Sequence, residues 1–222
     1  MLGCGAVAAQ PAGRPAENHH SGADFRHPLH MHVLPAAVVA ALSVTTLVAC
    51  GGTVTGAPAP LTDPARTVTA KGAFAAPPAT PATYDSALVP AGATATVNAS
   101  EAATNTSVTL TVTGLQPNRR YGAHAHTKPC GSDGKDAGPH FQFTPDPVTP
   151  SVDPAYANHV NEIWLDFTTD AAGSGQATST VPWTFPADRR AASVVIHAMP
   201  TATEPGKAGS AGNRAACISV GF

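Results

Sequence analysis

The stretch at residues 107–115, SVTLTVTGL, constrains the fold more than any other part of this chain. Side chains along a strand alternate between its two faces, so Val108, Leu110 and Val112 share one side and Thr109, Thr111 and Thr113 the other. One face suits a core and the other suits water, and β-branched valine and threonine fit the pleat. Residues 92–100, GATATVNAS, alternate in the same way. Residues 114–118 (GLQPN) make a turn and residues 119–126 return as a strand. In NEIWLDFT, at residues 161–168, Ile163, Leu165 and Phe167 point inward by the same alternation. Residues 171–175 turn, residues 176–185 run back, and strands are predicted again over 191–197 and 216–222. No stretch repeats its apolar residues at the helical period, so a helical domain is excluded. Short strands at this spacing indicate a sandwich or a flattened barrel.

Residues 121–130 read YGAHAHTKPC. His124 and His126 leave one face of a strand with Cα atoms about 6.5–7 Å apart, close enough for both imidazoles to converge on a metal ion. His140 follows in AGPHF, His197 closes the apolar run of SVVIHAMP, and AGNRAAC carries Arg214 and Cys217. Any one of these histidines would pass as an ordinary strand residue; the ordered set points to a metal, and imidazole suits copper.

Four histidines in this order, with the arginine and the flanking Cys130 and Cys217, resemble the Cu,Zn superoxide dismutase family over residues 83–222. The resemblance implies an all-β fold, the eight-stranded Greek-key β-barrel. It also implies copper held by His124 (through Nδ1), His126, His140 and His197. Arg214 would sit beside the copper and pair with the superoxide anion, and His140 would carry a proton during turnover. Cys130 and Cys217 match the family's disulfide, which pins the loop after the HxH strand to the last strand. A pair of free thiols adding copper ligands is the alternative.

The zinc half departs from the family pattern. There the histidine matching His140 bridges copper to zinc, and two further histidines and an aspartate complete the zinc site. Here NHVNE supplies His159 and Glu162 at the spacing of the last histidine and the aspartate, with glutamate replacing aspartate. The remaining zinc histidine has no counterpart. The aspartate that links the two sites is also missing, and HAMPT carries Thr201 in its place. A structural zinc site takes four protein ligands, so the sequence predicts a copper-only variant with zinc absent or weakly bound. Something must then accept a hydrogen bond from the free ring nitrogen of His140. Glu162 is the first candidate and Asp166 the second; both alternate with Ile163 and Leu165 and equally suit solvent-facing strand positions. The loop at 198–213 holds only Glu204 and Lys207 besides neutral residues, so little charge is expected to steer superoxide.

The first third reads differently. Residues 33–49 are apolar and uncharged and lead into Cys50, Gly51 and Gly52. The run is slightly short for a membrane span, and an apolar core ending in small residues marks a secretion signal. Leu47-Val48-Ala49-Cys50 resembles a lipobox, in which Cys50 is acylated, becomes the mature N-terminus and holds the protein to a membrane. An uncleaved anchor helix gives a similar pattern, and both place the domain outside the cytoplasm. His19, His20, His27, His30 and His32 read as leader, or as sequence upstream of a start at Met31, with a metal tract as the other reading. Residues 51–82, built mainly from Ala, Pro, Thr and Gly, read as a tether. The expected organisation is a leader at 1–49, a tether at 50–82 and a β-barrel at 83–222. A net charge of −2 with 12% charged residues leaves no basic footprint for nucleic acid.

The predicted reaction is dismutation of superoxide to dioxygen and hydrogen peroxide at a single copper ion. The competing reading is a surface-tethered copper-binding or buffering protein. Storage needs the imidazoles but not Arg214, which favours the enzyme.

Overall fold

The structure, a computed structural model, describes residues 65–222. The leader, the apolar run, Cys50 and the tether up to residue 64 lie outside the described residues. Nine strands follow in order: β1 (Arg66–Ala73), β2 (Ala82–Thr83), β3 (Thr94–Glu101), β4 (Thr106–Thr113), β5 (Arg120–His126), β6 (Phe167–Thr168), β7 (Gly175–Val181), β8 (Ser193–His197) and β9 (Arg214–Ser219). They form two antiparallel sheets, ordered β1-β3-β4-β7 and β2-β9-β8-β5-β6. The all-β expectation holds. Nine strands stand against the eight expected, and two of them, β2 and β6, are only two-residue pairings at the edges of the second sheet.

The expected tether needs a correction, because Arg66–Ala73 pairs with β3 along its whole length, from Arg66↔Glu101 to Ala73↔Thr94. Its only sizeable apolar side chains are Val68 and Ala70, which pack half-buried against the core. An edge strand is held by its ladder and needs little apolar surface, so its composition looks like a linker.

The core lies between the sheets. On β4 the buried Val108, Leu110 and Val112 alternate with half-exposed or exposed threonines, as expected. Across from them sit Ala123 and Ala125 of β5, Val194 and Ile196 of β8, and Ile163 and Leu165. Residues 161–166 keep the predicted alternation but form isolated bridges, His124↔Trp164 and Gln142↔Glu162, in place of a regular ladder. The opposite faces of β8 and β9 turn away from the core, with Val195 and Cys217 in a small second cluster under Ala137. Loops cover that outer layer. The Cys130–Cys217 disulfide ties the loop after β5 to β9, and a short 3-10 turn, Gly134–Ala137, is capped by the Asp133 side chain.

Candidate metal centre

β5 is paired with β8, so alternation carries His124 and His126 to the outer face of the sheet and His197 arrives there from the next strand. His140 joins by bridging to His126 from the loop after β5. One nitrogen from each of the four rings lies within 4.8 Å of all the others. His124 and His126 are fully buried and His197 nearly so, whereas the His140 side chain is 16% exposed.

Hydrogen bonds determine which nitrogen of each ring is protonated. Nδ1 of His126 donates to the Gly138 carbonyl at 2.9 Å, Nδ1 of His140 to Glu162 Oε2 at 2.7 Å, and Nδ1 of His197 to the Gly212 carbonyl at 3.4 Å. Each of these rings therefore keeps a lone pair on Nε2. His124 is reversed: its Nε2 donates to Thr201 Oγ1 at 2.7 Å, and its buried Nδ1 has no partner. An unpartnered buried nitrogen is costly in a finished fold. Nε2 of His126 and Nε2 of His197 face each other at 3.4 Å with no proton to share. Converging lone pairs of this kind repel unless a cation lies between them. Three Nε2 atoms and one Nδ1 make an all-imidazole donor set that fits copper.

The electrostatics agree with that fit. Burial first, then repulsion from the His140 ring, pushes His124 and His126 well below the ordinary histidine range and His197 down to about 3. These three imidazoles are neutral near pH 7, the state in which they ligate a metal.

Arg214 stands directly across from His197 in the β8–β9 ladder. Its Nη1 donates to the Gly134 carbonyl and its Nη2 to the Gly138 carbonyl, both at 2.7 Å. The Gly138 carbonyl thus holds His126 and Arg214 together. Gly138 adopts φ 73°, and a Cβ there would meet Thr127 Oγ1 at 2.6 Å, so the position requires glycine. Burial lowers the proton affinity of Arg214, but a guanidinium stays charged at any physiological pH. Arg214, His140 and Thr127 line one open groove of about 750 Å3, through which the centre meets solvent.

The family model for copper/zinc superoxide dismutase (SODC) matches residues 92–220, more than half of the chain, and spans the four histidines, Arg214 and both disulfide cysteines. The chain belongs to the copper/zinc superoxide dismutase family. Among solved structures it is similar to the Cu/Zn superoxide dismutase from Brucella abortus, at 22% identity over 71% of this chain and 99% of that chain, with a TM-score of 0.48. It is also similar to a double mutant of a SOD-like protein from Bacillus subtilis, at 18% identity over 56% of this chain and 86% of that chain, with a TM-score of 0.44. No curated protein matches it.

Of the residues considered for the family's zinc half, Glu162 meets His140 and His159 does not join the histidine cluster. His159 is exposed, with its ring 6.5 Å from that of Trp164, and it stands outside the histidine cluster. Glu162 is 1% exposed, so it is not a solvent-facing strand residue. Its Oε2 accepts from His140 Nδ1 and Trp164 Nε1, both at 2.7 Å, and its Oε1 accepts from Gln142 Nε2 at 2.8 Å. Asp166, the second candidate for orienting His140, is corrected: it bonds to Thr201 and lies on the His124 side of the centre. Alternation does turn Glu162, Trp164 and Asp166 to one face. Four residues of extended chain, however, advance about 13 Å, which carries Asp166 past His140. Sequence reasoning misses Trp164 and Gln142, and it marks Thr201 only as the residue in the place of the family's linking aspartate. The alternation of NEIWLDFT puts Trp164 on the face of Glu162; no local pattern reports Gln142.

Proposed function

We propose that this protein is a superoxide dismutase working at a single copper ion held by His124 Nδ1 and by the Nε2 atoms of His126, His140 and His197. The observation that carries the reading is the donor set itself, four converging imidazole lone pairs, one of them buried with no other partner, beside a fixed guanidinium. When bound, copper supplies the one-electron cycle between its two oxidation states. In sum, two superoxide anions and two protons become one dioxygen and one hydrogen peroxide.

The chain's own residues do the rest. Arg214, clamped by two carbonyls, presents a positive charge in the groove where an anion arrives. His140 is the most exposed of the four rings, so its Nε2 is the nitrogen placed to take a proton and give it to the reduced product. Glu162 keeps Nδ1 of His140 protonated and supplies a counter-charge to the imidazolium that forms. The open groove delivers the second proton from water.

Glu162 also supports a copper-only centre, because the His140 nitrogen that the family turns toward zinc already donates to this buried carboxylate. The apolar run at 33–49, the lipobox-like tetrapeptide before Cys50 and the disulfide support a location outside the cytoplasm, anchored to a membrane by a lipid on Cys50. A copper buffer would need the imidazoles but would have no use for a guanidinium clamped beside them.

Metal analysis with a dismutase assay on the purified chain tests this. About one copper per chain, substoichiometric zinc and a rate that follows copper content are expected. Equal copper and zinc surviving dialysis against a weak chelator would sink the copper-only centre. A copper-loaded protein without dismutation would leave the buffering reading in its place. Mass spectrometry of membrane-extracted protein should find Cys50 acylated at the N-terminus, and an intact leader would refute the anchor.

A further inference from the structure

The loop at residues 198–213 returns across β5 at very close range. A Cβ on Gly122 would meet the Met199 carbonyl at 2.7 Å and Thr201 Oγ1 at 2.9 Å, so only glycine admits the approach. Gly122 N donates to that same Met199 carbonyl at 2.8 Å. Thr201 is thereby pressed between a carboxylate and an imidazole. Its Oγ1 donates to Asp166 Oδ1 at 2.6 Å, and its backbone N donates to Asp166 Oδ2 at 2.8 Å. Asp166 Oδ1 also accepts from Ala123 N at 3.3 Å, which ties the carboxylate to β5 beside His124. The carboxylate stands 3.8 Å from His124 Nε2, too far for a direct hydrogen bond, while Thr201 Oγ1 stands at 2.7 Å.

The direction of the chain of bonds follows from counting hydrogens. A threonine hydroxyl has one hydrogen and a carboxylate has none to give. The Thr201 hydrogen is therefore committed to Asp166, and toward His124 its oxygen can only accept. Nε2 must then carry the ring proton, which leaves Nδ1 as a bare lone pair, the buried nitrogen that has no partner.

We propose that Thr201 and Asp166 form a positioning pair that sets the tautomer and the ring orientation of His124, and so aims its Nδ1 at copper. This deepens the copper reading above and rests on it. The carboxylate that HAMPT lacks is supplied from the segment beside β5, at one hydroxyl's remove. Without Asp166 the hydroxyl is free to rotate and donate to Nε2, which moves the ring proton onto Nδ1 and removes the ligand. Without the hydroxyl, Nε2–H is left buried and unpaired. Both changes act on the metal through the ring and touch no substrate.

The test uses the full chain as wild type, Thr201→Val, Thr201→Ser and Asp166→Ala. Copper(II) affinity is read by competition with a chromophoric chelator, the copper site by EPR, and the His124 tautomer by imidazole 15N shifts of the metal-free protein. Thr201→Val and Asp166→Ala should each lose about 10–100-fold in copper affinity and change the copper hyperfine pattern. Thr201→Ser keeps the hydroxyl and should stay close to wild type. Metal-free Asp166→Ala should move the His124 proton from Nε2 to Nδ1. Wild-type affinity and EPR in both Thr201→Val and Asp166→Ala would overturn the proposal. So would a wild-type His124 protonated on Nδ1, a result that needs no variant to fold. If wild type itself shows no nitrogen-ligated copper signal, the copper reading fails, and the 15N shifts still decide the tautomer separately.

Discussion

Glu162→Gln exchanges one carboxylate oxygen for an NH2 group and removes a negative charge from beneath His140. The side chain is 1% exposed, so water does not repair the change. Two donors, the His140 ring and the Trp164 indole, converge on Oε2, and the Gln142 amide meets Oε1. A glutamine there is best placed with its oxygen toward the pair, which sets its NH2 against the NH2 of Gln142. Gln142 is held in its orientation, because its Oε1 accepts from Asp146 N at 2.8 Å and its Nε2 also donates to Ser151 Oγ at 2.9 Å. One hydrogen bond is lost and two pass from charge-assisted to neutral. Bonds to charged groups contribute about 1.5–3 kcal/mol and neutral ones about 0.5–1.5 kcal/mol, a loss of about 3.5–6 kcal/mol that is partly offset because a neutral amide costs less to bury than a carboxylate, so the variant should lose about 2–4 kcal/mol. In a domain of this size that lowers Tm by about 5–15 °C, readable by calorimetry of the metal-free protein. Turnover suffers through a different route. The positive charge that builds on the His140 ring during turnover loses its counter-charge. The copper-loaded variant should dismutate superoxide more slowly, by up to about tenfold. Copper content should not change. A variant with wild-type Tm and a wild-type dismutation rate would refute both the buried network and the role given to Glu162.

Arg214→Ala should keep copper but lose on the order of tenfold in dismutation rate and in salt sensitivity, and Arg214→Glu should be slower still because it repels the anion. Equal rates for wild type and Arg214→Glu, when both are copper-loaded, would show that Arg214 guides no substrate. Acid should destabilise the metal-free protein: folded His197 takes its proton at about 3 instead of 6.5. Its contribution is complete above 6.5 and is lost by about 1.4 kcal/mol per pH unit on the way down to about 3, with His124 and His126 acting in the same direction. A urea midpoint unchanged between pH 7 and pH 5 would contradict this. The Cys130–Cys217 bond closes a loop of 87 residues, so its removal should cost about 4–5 kcal/mol in the chain-entropy account. The loop it pins also supplies the Gly134 and Gly138 carbonyls that clamp Arg214, so reduction should slow the copper-loaded protein before it unfolds; full activity under reduction would count against that coupling.

Local pattern carried much of this protein. Period-two alternation is enough to place Val108, Leu110 and Val112 in the core, to turn Ile163, Leu165 and Phe167 inward, and to put His124 and His126 on one face, because a strand allows no other arrangement. The identities and order of the histidines, Arg214 and the cysteines carried the family resemblance, and it was the resemblance that implied the ligand set and the disulfide. β1 escaped notice because an edge strand is stabilised by its ladder and asks little of its side chains. The depth of Glu162 escaped because alternation reports which face a residue takes, and not what covers that face. The support of His124 is more remote still. Thr201 lies 77 residues from His124 and 35 from Asp166, and they meet only because a loop settles against the bare Cα of Gly122. Hydrogen-bond partners that far apart leave no period in the sequence: the family resemblance implied Nδ1 of His124 as a ligand, but the physical reason, an Nε2 engaged by Thr201 and an Nδ1 left bare, exists only in the tertiary structure.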